Sequence, residues 1–262
     1  MHKLEETFAG ARGAKRLALI GYLPALWPSP RGFSELAEAA FDAGMDALEV
    51  GFPASDPFLD GEVIRKALAA QSGDGFDALS IPGLTRPLAA KGRTLIAMMY
   101  GKAWYELGGS EAPAFLVDAG FAGALVVGTG AEDWESSAAA CRGAGIDPVG
   151  FAGIGLENGG LTRLGEQARG FIYIPSREGK TGGDGDFGPE LRARIARIKA
   201  AIPELPVAVG FGVNSPEDIV ALRELGADAA IVGTALVEAA RDRVGFRCFV
   251  AALRAAAEGR KS

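Results

Sequence analysis

The chain has 262 residues, 48% of them apolar and 23% charged, which is ample material for the core of one large α/β domain. Its formal net charge of -6, with Lys and Arg scattered along the sequence, leaves no basic stripe for nucleic acid or an anionic membrane surface. No apolar run approaches the roughly 18 residues that span a bilayer, and the first residues, MHKLEETFAGARGAKR, lack a signal core, so a cytoplasmic protein with a small-molecule partner is expected.

In chain order, short aliphatic or β-branched runs alternate with alanine-rich stretches of helical spacing. The strands are expected at RLALIGYL (16–23), MDALEVG (45–51), TLIAMMY (94–100), GALVVG (123–128), DPVGFA (147–152), GFIYIP (170–175), PVAVGFG (206–212) and DAAIVG (228–233). Segments such as FSELAEAAFDAG, PELRARIARIKAAI and SPEDIVALRELGA lie between them. Eight strand-helix units over this length imply a parallel sheet closed into a (β/α)₈ TIM barrel, read as a single domain over 1–262 with a short N-terminal helical extension. The competitor is an open doubly wound sheet. Against it, the first strand runs into YLPALWPSP, with three prolines, and not into a G-x-G-x-x-G turn.

In such a barrel the active site forms where strands end, so polar residues there are the candidates. Glu49 ends the second strand in the otherwise apolar run LEVG. Desolvation of a carboxyl raises its pKa toward neutrality, as a general acid requires. The plainer reading is a strand-end Glu paired with a neighbouring cation. Asp60 follows in GFPASDPFLDGEVI, where it serves either as a helix N-cap or as a second carboxylate facing the same pocket. Asp56, between Ser and Pro, reads as a turn residue.

The later units contribute glycines at strand ends: Thr181-Gly182, Gly210-Phe211-Gly212 and Gly233-Thr234, the last leading into ALVEAARD. Any one suits a tight turn. Three in succession favour a phosphate site, because glycine lets backbone N–H groups approach an anion closely. Trp27, Trp104 and Trp134 stand in loops or early helix turns, as cleft walls or as packing anchors. Lys180 sits in the glycine-rich SREGKTGGDGDFG, a segment (177–188) long enough for a lid and an unusual place for a Schiff-base lysine. His2 is the only histidine, and Cys141 and Cys248 are far apart, so neither a histidine relay, nor a disulfide framework, nor a Cys/His metal site is expected.

The string ALEVGFPASDPFLDGEVI resembles the signature of the tryptophan synthase alpha family of indole-3-glycerol-phosphate lyases. The likeness extends to ALIGYLPA, RGFIYIPSREGKTG, PVAVGFGVNSPED and ADAAIVGTALV, nearly the whole chain. The resemblance implies retro-aldol cleavage of indole-3-glycerol phosphate to indole and glyceraldehyde 3-phosphate, without metal or cofactor. It further implies Glu49 as general acid/base and Asp60 as the carboxylate that polarises the indole N–H. Tyr173 would stand beside them, Tyr22, Tyr100 and Phe151 would line the aromatic part, and Thr181, Gly182, Phe211, Gly212, Gly233 and Thr234 would hold the phosphate. Two loops depart from the family. Gly128 stands where the Asp of the family's usual Pro-Asp pair would be after the fourth strand, and Tyr100-Gly101-Lys102-Ala103 replaces Tyr-x-Asn-Pro after the third. Both lie on the face that docks the beta subunit in the family, so the expected partners are a small phosphorylated substrate and, subject to that altered face, a beta subunit. A divergent member acting on another phosphorylated substrate, or a weakly active partner-dependent subunit, is the alternative.

Overall fold

A computed structural model describes residues 2–72, 78–177, 180–182 and 187–260. The strands are β1 (Ala18–Pro24), β2 (Ala47–Gly51), β3 (Thr94–Tyr100), β4 (Gly123–Val127), β5 (Asp147–Pro148), β6 (Gly150–Phe151), β7 (Ile172–Pro175), β8 (Val207–Gly210) and β9 (Ala229–Val232). All pairings are parallel, in the order β5-β4-β3-β2-β1-β9-β8-β7-β6. β5 and β6 are the two halves of the predicted fifth strand, broken at Val149. Val149 N–H donates to Ala124 on β4 while Gly150 N–H donates to Phe171 beside β7, so the two sheet ends meet in one stretch of chain and the barrel closes. Pro148 explains the break: it has no N–H for the β7 side, and pairing there starts only at Gly150.

Period-two alternation sorts the strand side chains into two separate apolar layers. Ile20, Ile96, Leu125 and Ile231 point into the barrel, whereas Leu48, Val50, Val126, Ile174 and Val209 pack outward. The outer layer meets helices that include α2 (Pro30–Ala43), α3 (Glu62–Ser72), α4 (Ile81–Ala90), α5 (Gly101–Glu106), α6 (Ala112–Asp118), α7 (Ala131–Ala144), α8 (Asn158–Gln167), α9 (Pro189–Ala201), α10 (Pro216–Glu224), α11 (Thr234–Ala239) and α12 (Arg243–Ala257). Local chemistry sets several starts. Ser29 caps α2 ahead of Pro30, and Ser215 with Asp218 forms a reciprocal capping box on α10.

The N-terminal stretch folds as α1 (Lys3–Gly13) across the bottom of the barrel. Leu4, Phe8 and Ala11, at helical spacing, are buried in the inner layer, and Phe8 packs on Phe171 with centroids 5.5 Å apart. Gly123 and Gly170 make room for it: a Cβ on either would lie 2.6 or 2.7 Å from Leu4 Cδ1. With Leu4 below and the tyrosines above, the interior is a packed apolar column with Glu49 and Asp60 at its top.

Candidate active site

At the C-terminal ends of the strands lies a cleft of about 580 Å³ including its open mouth. Glu49 points into it from the end of β2, in register with Tyr22 on β1 and Ile96 on β3. It is 2% exposed, and its Oε1 is buried with no hydrogen-bond partner, so the plainer reading of an ion-paired strand-end Glu does not describe it. Burial, helped by the charge of Asp60, pushes its carboxyl up to about 8.

Asp60 reaches the same cleft from the loop before α3. Burial raises it to about 6, opposed by a hydrogen bond that Tyr100 Oη donates to Oδ2 at 2.9 Å and by the charge of Arg65. The pair therefore separates: near neutral pH Glu49 holds a proton and Asp60 does not. The loop is pinned on both sides of Asp60 by one residue of the sixth unit, because Thr181 N–H donates to Leu59 O at 3.0 Å and Gly61 N–H donates to Thr181 Oγ1 at 2.8 Å. Asp56 is exposed and lies outside the cleft, as a turn residue would.

Two tyrosines complete the inner wall, each laid across a glycine of the next strand. A Cβ on Gly51 would stand 2.2 Å from Tyr22 Oη, and one on Gly210 would stand 2.0 Å from Tyr173 Oη. Their phenols are raised well above the ordinary value by burial and by the nearby carboxylates, so they remain protonated donors. Tyr173 also meets Phe151 and Phe211, with centroids at 5.5 and 6.1 Å.

The glycine constellation converges on the same cleft. Thr181, Phe211, Gly212, Gly233 and Thr234 all line it, and Gly182 lies beside Thr234. Phe211 and Gly212 both have positive φ, 65° and 82°, and the Ser176 hydroxyl donates to Phe211 O, which steadies that turn. Thr234 opens α11, where the first N–H groups have no acceptor within the helix, and its hydroxyl is buried without a partner. An anion oxygen would supply what these groups lack.

Of the expected site residues, Tyr100 and Gly182 are not in the cleft wall: Tyr100 lies behind Asp60 as its hydrogen-bond donor, and Gly182 lies beside Thr234. Sequence reading missed Asn214 and the apolar floor of Ile64, Met98, Leu125 and Ile231. Asn214, a polar residue just after the Gly210-Phe211-Gly212 turn, carried a signal; the floor residues are indistinguishable in sequence from any inward strand position. Lys180 is exposed and outside the cleft, which disposes of the Schiff-base reading, and His2 lies at the far end of the barrel, 3.1 Å from Asp147. Trp104 is a buried packing anchor of the outer layer, against which Trp27 and Trp134 also pack. Part of the 177–188 segment lies outside the described residues.

The two departing loops pack on one another. Phe58 meets Tyr100 edge-on at 5.1 Å, a Cβ on Gly128 would stand 2.7 Å from its ring, and one on Gly101 would stand 2.9 Å from Thr129. Among the described residues no cluster of metal-ligating side chains occurs, and no helix is long and apolar enough to cross a membrane.

A closed parallel barrel with two buried carboxylates of separated pKa facing a glycine-lined cleft is the framework of a barrel enzyme. The sequence pattern of the family described as tryptophan synthase alpha chain matches residues 8–257. The tryptophan synthase alpha chain of Burkholderia mallei (strain NCTC 10229) is 32% identical over 267 aligned positions, covering 99% of this chain and 98% of that one. That of Methanosarcina barkeri (strain Fusaro / DSM 804) is 32% identical over 236, covering 90% and 88%. A solved structure of Mycobacterium tuberculosis tryptophan synthase superposes with a TM-score of 0.89 at 29% identity, covering 97% of this chain and 98% of that one. The chain belongs to the tryptophan synthase alpha chain family, whose members are lyases that cleave indole-3-glycerol phosphate to indole and glyceraldehyde 3-phosphate.

Proposed function

We propose that this chain cleaves indole-3-glycerol phosphate in the cleft between Glu49 and Asp60, with the roles divided by their pKa values. Glu49, protonated at the start, delivers its proton to the ring carbon that bears the glycerol side chain, while Asp60 accepts a hydrogen bond from the indole N–H and stabilises the positive nitrogen that results. Glu49, now a carboxylate, takes the proton of the adjacent side-chain hydroxyl. The aldehyde C=O forms, the C–C bond breaks, and its electron pair returns to the ring, giving indole. Glu49 ends in its starting protonation state, so the cycle consumes no proton.

Tyr22, Phe151 and Tyr173 would enclose the indole, and Thr181, Gly182, Phe211, Gly212, Gly233 and Thr234 would hold the phosphate, fixing the reacting carbon against Glu49. The single observation that carries the reading is the buried, unpartnered Oε1 of Glu49, raised to about 8 beside an acid at about 6. We further read residues 1–262 as one barrel domain working in the cytoplasm, in support of which stand two free cysteines, Cys141 and Cys248. A beta subunit is the partner that family membership supports, docked on the face where Gly128 and Gly101 depart from the family's usual residues.

Incubating the purified chain with indole-3-glycerol phosphate and following indole release, with and without an added beta subunit, tests the reading. Turnover in either condition, lost in E49Q, is the expected result. No turnover in both, with tight binding of another phosphate ester, would overturn the substrate assignment.

A further inference from the structure

At the opposite end of the barrel from the cleft, where α1 and α10 run into β1 and β9, lies a second pocket of about 610 Å³ including its open mouth. Four cations line it, Arg12, Lys15, Arg16 and Arg223, against one acid, Asp228, on a chain whose net charge is -6. The acid is already engaged: its Oδ2 accepts Val207 N–H at 2.9 Å and lies 2.8 Å from Lys199 Nζ. Arg16 is held by a two-point pair with Asp46, at 2.6 and 2.7 Å. Its side chain is only 8% exposed, yet its Nε is buried without a hydrogen-bond partner.

The other three cations are exposed, and among the described residues no ion pair or hydrogen bond engages their side chains. Arg12 and Arg223 have an ordinary reason to be there, since each lies in the last turn of a helix, where a positive charge suits the negative end of the dipole. Lys15, just past the C-cap of α1, shares that reason, and its backbone adds a second feature. It occupies the left-handed position after α1, with φ 55°, its N–H on Arg12 O and the N–H of Arg16 on Ala11 O. Glycine fills that position without a Cβ penalty, so a lysine there sets a charge at the pocket rim at the expense of backbone strain.

We propose that this pocket binds a compact multivalent oxyanion of the phosphate class, with Arg12, Lys15 and Arg223 supplying charge and the buried Arg16, held by Asp46, forming part of the wall. Phe8 and Leu17 form its apolar side. The packed interior of the barrel separates it from the substrate cleft, so it is a second site and not an extension of the first.

Amide NMR spectra of the full chain, titrated with inorganic phosphate at low ionic strength near neutral pH, test this. Saturable shifts are expected at Lys15, Arg16, Leu17 and Ala227, separate from any at Gly212 and Gly233 in the cleft. K15G, which removes the charge together with the left-handed strain and so keeps the fold, is expected to weaken the first set about tenfold, the worth of one charge-assisted bond, and to leave the second unchanged. R12Q should act in the same direction. Absence of saturable shifts at those four amides, equal affinity in K15G and R12Q, or equal displacement by chloride at matched ionic strength would overturn the proposal.

Discussion

Tyr100 donates its phenolic hydrogen to Asp60 Oδ2 at 2.9 Å, so a side chain of the third barrel unit orients the carboxylate of the second. The bond favours the ionised form and opposes burial, which alone would take Asp60 above about 6. With Glu49 at about 8, kcat/KM is expected to rise through about 6 as Asp60 ionises and to fall through about 8 as Glu49 loses its proton. In Y100F the acidic limb should move upward and the alkaline limb should stay. A profile whose acidic limb is unmoved in Y100F would separate Asp60 from the rate.

Glu49 also predicts a stability effect of definite sign. Its folded value of about 8 lies above the ordinary 4.5, so between those limits the folded state binds a proton that the unfolded state does not. Stability therefore falls as pH rises from 4.5 to 8 and levels off beyond. E49Q removes the titration. Urea unfolding should find it close to the parent at the acid end and more stable at the alkaline end, while indole release drops by a factor of at least about 100, the scale of one lost acid/base group. A stability gap independent of pH would contradict the burial argument.

Thr234 carries a buried hydroxyl with no protein partner, a desolvation cost that a bound ligand would offset. T234V keeps the shape and removes that cost. Its melting temperature should equal or exceed the parent's, with KM for the phosphorylated substrate raised several-fold and kcat changed less. A lower melting temperature would show that the hydroxyl serves the fold.

The glycine notch under Tyr173 is testable by a cycle. A Cβ on Gly210, in β8, would lie 2.0 Å from Oη of Tyr173 on the adjacent β7. G210A should cost about 1 to 3 kcal/mol by overpacking, and in a Y173A background most of that cost should vanish. Additive losses in the double variant would mean that the clash is relieved elsewhere.

Much of this architecture was readable beforehand because each strand-helix unit has its own signals. The eight strand segments, Glu49 at an apolar strand end and the three glycine turns are local facts, and each lies where local reasoning puts it. Asp60 was ambiguous between cap and acid because the deciding partner, Tyr100, is 40 residues away. Tyr100 was expected in the aromatic wall, and its bond to Asp60 escaped notice for the same reason. Gly51 read only as the end of a strand and Gly210 as part of a phosphate-binding turn, while what both accommodate is the end of a tyrosine on the adjacent strand. Contacts of this kind depend on register across the barrel, which no window of sequence contains. The run LEVG told only that Glu49 is buried; that it lines a cleft shared with Asp60 required the closed sheet.

Leu59 and Gly61 are both tied to Thr181, so the acid between them is located by a residue 120 positions beyond Gly61. Variation in these two loops is therefore not independent. A replacement that lets one drift can be cancelled by a replacement in the other, and scanning either by itself would score both as harmful. Libraries that change 59–61 and 181 jointly would reach combinations closed to stepwise search.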